Sequence, residues 1–164
     1  MQYHYHSNEG KSVVVQYFRF EQDFVEDGIR CVPMIVRYKL DLAGVKLKLK
    51  EWSLFEETER EMLAHLPCHQ PNEISCYRNV VVTLIKSKCN AEPGFISIVK
   101  DPAWMVSYRV DPLVAEQAEK YNFKISVRQW AALNILQRFA LLKLCRAGHE
   151  NINFPLAIKE FKLA

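Results

Sequence analysis

The residues best suited to chemistry lie near the C-terminus, in "RAGHENINF", where Arg146, His149, Glu150, Asn151 and Asn153 surround Gly148. An imidazole beside a carboxylate suits proton transfer or ligand binding near neutral pH. A structural account also fits: Gly148 ends one helix, Asn153 caps the next, and Arg146 and His149 satisfy open carbonyls. Taken alone, the residues favour that account. A second group, in "LPCHQPNEISC", offers Cys68, His69 and Cys76 as soft and borderline ligands. Their spacing matches no standard zinc or iron–sulfur framework, so structural thiols and no bound metal are expected. In "GIRCVPMIVRYKLD", Arg30, Arg37 and Lys39 stand near Cys31 and Asp41. These cations suit an acidic partner or a phosphate; stems snorkelling from a buried helix explain them too. No Walker loop, dinucleotide fingerprint, HExxH or nucleophile elbow occurs.

The elements that must position these residues are written twice. "VKLKLKEWSLF" and "FKISVRQWAAL" share a pattern at an offset of 78 residues, aligning Lys46 with Lys124, Trp52 with Trp130 and Arg60 with Arg138. Gly44 meets Asn122, the two residue types that best tolerate the left-handed conformation closing a helix. Pro33 and Pro112 each stand where a helix starts. The repeat therefore runs over about 33–68 and 112–146, an internal duplication with Trp52, Arg60, Trp130 and Arg138 as structural anchors.

The second copy is the easier to read. "DPLVAEQAEKYN" predicts a helix, Ser126 with Gln129 and Asn134 with Gln137 form capping boxes, and "ILQRFALLKLCR" predicts a buried central helix. In the first copy "VRYKLDLAGVKLKLK" alternates like a β-hairpin, yet the second copy argues for a helix over 34–43. "PNEISCYRNVVVTLIKSK" predicts a long helix with Pro71 near its start, residues 90–111 an irregular connector, and "NFPLAIKEF" a final helix. "VVVQYFRF" reads as extended. The expected fold is mostly α: a single domain of about 7–8 helices over 12–164 behind a flexible tail over 1–11.

Composition limits function. The 164 residues are 49% hydrophobic and 25% charged, and net charge is +3. That charge is too weak and too mixed for nucleic acid, and no apolar run is long enough to cross a bilayer. Five irregularly spaced cysteines and no secretory signal predict free thiols in a reducing compartment, the cytoplasm.

"RCVPMIVRYKLDLAGVKLKLKEW", "LPC", "QWAALNILQRFALLKL" and "RAGHENINF" resemble the nitrate-reductase-associated protein family of cyanobacteria and other phototrophs, from about Phe18 to Phe161. The resemblance implies a non-catalytic accessory factor for assembly, maturation or stability of assimilatory nitrate reductase, a molybdenum-cofactor enzyme. It implies the reductase as protein partner, no cofactor and no catalytic residues. Cys76, Cys89 and the polar N-terminus depart from the family pattern, which counts against an essential role for those two thiols. The expected contact residues are Arg146, His149, Glu150 and Asn153, with Arg30, Arg37 and Lys39 as a second basic face. Arg146 is the expected anchor, because Arg is enriched at interface hot spots. Two other readings stand: a metal or Fe–S carrier using Cys31, Cys68 or His149, and a small enzyme of cofactor metabolism centred on His149 and Glu150.

Overall fold

The computed structural model describes the backbone of residues 2–6, 12–146 and 149–164, and the side chains of residues 17–146 and 151–164. The chain is mostly helical, as its periodicity predicts, and divides into two compact units, Met1–Ile98 and Val99–Ala164. Each unit holds one copy of the repeat.

The first unit opens with an antiparallel pair, β1 (Gln2–His6) and β2 (Ser12–Gln16), with Tyr3 opposite Val15 and Tyr5 opposite Val13. The tail expected over 1–11 lies partly outside the described residues, at positions 1 and 7–11; the rest of it is β1. A 3-10 turn (Arg19–Glu21) and α1 (Gln22–Glu26) lead to α2 (Met34–Ala43). Helix wins over alternation here because both ends of α2 are held. Pro33 enters extended, the buried Glu21 carboxylate accepts the Met34 N–H at 2.6 Å, and Gly44 closes the helix at φ +67°. Buried Val36, Leu40 and Ala43 then share one face.

After β3 (Val45–Lys46) come α3 (Leu49–Ser53), α4 (Glu57–His65), the long α5 (Pro71–Cys89) and β4 (Gly94–Phe95). Helix α5 buries Tyr77, Val81, Leu84 and Ile85, a helical stripe that joins Trp52, Phe55 and Leu63 in the core of this unit. Carboxylates three residues into these helices reach back to the entering N–H groups: Glu51 to Lys48, Glu59 to Glu56 and Glu73 to Gln70, at 2.8–2.9 Å.

The second unit repeats the plan. A 3-10 turn (Ala103–Met105) precedes α6 (Pro112–Lys120), α7 (Val127–Ala132), α8 (Ile135–Leu144), a 3-10 turn (His149–Asn153) and α9 (Phe154–Glu160). Asp111 caps α6, Asn122 takes φ +60° where its counterpart is Gly44, and both predicted capping boxes form. Helix α8 buries Phe139, Ala140, Leu141 and Leu144, and α9 buries Phe154, Ala157 and Ile158. Asn153 precedes α9 without a side-chain cap bond; its own backbone is already helical, which turns the side chain from the role the sequence suggested. No helix among the described residues is long and apolar enough to cross a membrane.

Candidate functional site

The repeated Trp and Arg build the same corner in each unit. Trp52 is fully buried and its Nε1 donates to the Ile29 carbonyl at 2.8 Å; Trp130, equally buried, donates to the Val106 carbonyl at 2.8 Å. One turn into the next helix, Arg60 donates to the carbonyls of Gly28 (2.8 Å), Ser53 (3.1 Å) and Trp52 (3.3 Å). Arg138 does likewise with Leu133 (2.6 Å), Trp104 (2.8 Å) and Trp130 (3.4 Å). Each guanidinium is a fork spread over main-chain oxygens, so it ties three chain segments together instead of presenting charge. This arrangement positions elements and offers no reactive atom.

A second buried polar group sits where α4 ends. Lys39 is 4% exposed, lies over the Tyr77 ring, and donates from Nζ to the carbonyls of Ala64 and Leu66, both at 2.6 Å. An ammonium there complements the C-terminal end of α4. Burial lowers its pKa to about 8. Cys68 is fully buried beside it, and its thiol donates to the Lys39 carbonyl at 3.8 Å. Burial pushes that thiol up to about 11 and Cys145 up to about 12, so both are protonated at neutral pH. Cys76 and His69 are exposed, and no group of three or more His, Cys, Asp or Glu among the described residues is placed to hold a metal.

The basic set of Arg30, Arg37 and Lys39 is not one face. Arg30 is exposed and pairs with Asp27 at 2.9 Å, Arg37 donates to the Val32 carbonyl at 2.9 Å, and Lys39 points inward. In the C-terminal set, Arg146 is exposed at the end of α8, while the side chains of His149 and Glu150 lie outside the described residues. Asn151 is the residue whose role the sequence hid. With its amide turned to donate, it reaches the carbonyls of Leu144 and Arg146 at 2.6 Å, and Tyr121 Oη donates to its carbonyl at 3.3 Å. Asn151 thus serves α8 as Lys39 serves α4. Position gives no hint of this in the sequence, because an Asn in a polar loop has many possible partners.

The first unit has two concavities of note. One of about 510 Å³ follows the exposed side of α5 past Asn72, Cys76 and Asn79. The other, of about 210 Å³, is lined by Glu26, Glu57, Glu61 and His65. Neither includes a residue singled out for partner binding.

A family model described as conserved nitrate reductase-associated protein matches residues 17–161, nearly the whole chain. No curated protein and no solved structure matches it.

Proposed function

Because the chain belongs to the conserved nitrate reductase-associated protein family, we propose that it binds nitrate reductase as a non-catalytic accessory factor. Its action supports assembly, maturation or stability of that enzyme, in the cytoplasm or the plastid stroma. The family match over residues 17–161 carries this reading. A factor that binds one state of the reductase more tightly raises the population of that state by mass action. The side-chain chemistry is compatible: the conspicuous polar groups are spent on holding helix ends, and the buried thiols are protonated.

Charge adds a direction. Residues 99–164 carry ten Lys and Arg against six Asp and Glu, while residues 1–98 carry twelve against thirteen. The positive excess therefore resides in the unit that carries Arg146, which favours an acidic face on the reductase there.

Affinity capture of the tagged protein from nitrate-grown cells tests the reading. Nitrate reductase is expected in the captured fraction, with recovery falling as salt rises. Replacing Arg146, His149 and Glu150 together by Ala should lower recovery and nitrate-dependent growth while leaving the melting temperature within a few degrees. Capture free of reductase, from cells that contain it, would overturn the reading.

A further inference from the structure

Packing explains why Trp52, Arg60, Trp130 and Arg138 recur. It does not explain what recurs in water. Exposed Lys46, Leu49 and Lys50 stand in register, 78 residues apart, with exposed Lys124, Val127 and Arg128. Leu49 is 58% exposed and Val127 51%. A side chain more than half in water adds little to a core, and a single exposed aliphatic needs no account. Here an aliphatic between the same charges stands at the same place in both units.

Each set is clear of opposing charge and firmly backed. Residues 123–133 contain no Asp or Glu. The only acid within 45–55, Glu51, is buried and accepts the Lys48 N–H at 2.8 Å. Among the described residues no carboxylate pairs with Lys46, Lys50, Lys124 or Arg128. Two residues beyond Lys50 and Arg128 come the fully buried Trp52 and Trp130, each bonded through its indole N–H to a main-chain carbonyl. The backbone that carries both sets is thus fixed before any partner arrives, which reduces the ordering cost of binding.

We propose that Lys46, Leu49 and Lys50 in the first unit, and Lys124, Val127 and Arg128 in the second, form two equivalent docking surfaces for acidic segments of nitrate reductase that also carry an aliphatic side chain. Charge complementarity and the aliphatic together select the occupant. Paired cations with no carboxylate of their own favour an acidic partner. Leu49 and Val127 would gain nothing from a bare polyanion, whereas a protein segment with carboxylates on either side of an aliphatic satisfies all three side chains. The proposal rests on the reductase being the partner, and adds that one accessory chain engages it through both repeats.

The test reverses charge in one unit at a time and reads reductase capture. Lys46→Glu with Lys50→Glu alters the first unit, and Lys124→Glu with Arg128→Glu the second. Lys100→Glu with Lys159→Glu changes net charge equally at exposed positions outside both surfaces. Recovery about tenfold lower for each of the first two pairs and unchanged for the third, with the melting temperature kept, is the expected result. Leu49→Ser and Val127→Ser should each lower recovery as well, a loss that attraction between charges alone would not produce. Should a reversed pair fail to fold, the Ser variant of that unit decides. An equal loss in the third pair would show a response to net charge alone and overturn the surfaces, and a loss confined to one unit would overturn their equivalence. If the unaltered protein captures reductase and the folded variants capture it equally well, the proposal is overturned and the accessory role stands. If the unaltered protein captures none, the accessory role fails and the proposal falls with it. Binding of the purified protein to phosphatidylserine vesicles, lost in the same variants, would assign the surfaces to a lipid layer instead.

Discussion

At the scale of single residues, the two Trp–Arg corners make equivalent demands. Trp52→Ala or Trp130→Ala should each cost about 3–5 kcal/mol, measured as a loss in urea midpoint. A wild-type midpoint for either would contradict its burial. Lys39 adds a dependence on pH. Its folded pKa of about 8 lies below the ordinary 10.5, so between these values the unfolded chain holds the proton that the folded chain has released. Stability therefore rises with pH through this window. Cys68 acts in the opposite sense, since its folded value of about 11 exceeds the ordinary 9.0 and stability is lost from there upward. Between pH 8 and 9 Lys39 by itself contributes a rise of about 1 kcal/mol, which the raised Cys68, Cys89 and Cys145 thiols oppose as their unfolded counterparts begin to ionise. Lys39→Met should flatten that rise in urea titrations at the two pH values. The sequence presented Lys39 as one of three nearby cations. Its carbonyl partners lie 25 and 27 residues further on, a separation that no local pattern reveals.

At the scale of elements, positive φ gives the sharpest prediction. Gly44→Ala combines a left-handed backbone with a Cβ pressed against Ile98, so a loss of about 2 kcal/mol or more is expected. Asn122→Gly, at the matching corner, should change stability by less than about 1 kcal/mol, because the position already accepts an open backbone. Thermal denaturation of the two variants makes the comparison. The repeat was legible because Trp, Arg, Pro and the Gly/Asn pair recur in register. It also resolved α2, whose own alternation points to strand. Capping was legible only where Ser126 and Asn134 stand. In the first copy Lys48 and Glu56 occupy those places, and only the returning carboxylates of Glu51 and Glu59 remain. β1 escaped notice although "QYHYH" alternates as a strand does, because the polar "SNEGKS" that follows it made the whole start read as a frayed end. The proposed contact residue Arg146 was the least legible part, since an exposed side chain owes nothing to periodicity.

At the scale of the whole molecule, residues 95–101 form an unbroken exposed run across the boundary at which the first unit ends and the second begins in sequence. Proteolysis favours such segments over packed helices. Thermolysin, which cuts before large apolar residues, should make its first cut within 95–99 and leave two protected fragments. A first cut inside α5 or α8 would show that a helix opens more readily than the connector. The contiguity of each unit in the chain also orders events during synthesis. Everything the first unit packs together lies before residue 99, and the bond from Ile96 to Gly44 is its last main-chain closure among the described residues. Translation at about 5–20 residues per second leaves several seconds in which the remaining residues are still being added. The N-terminal half of the nascent chain can therefore complete its core before the second Trp–Arg corner has been made.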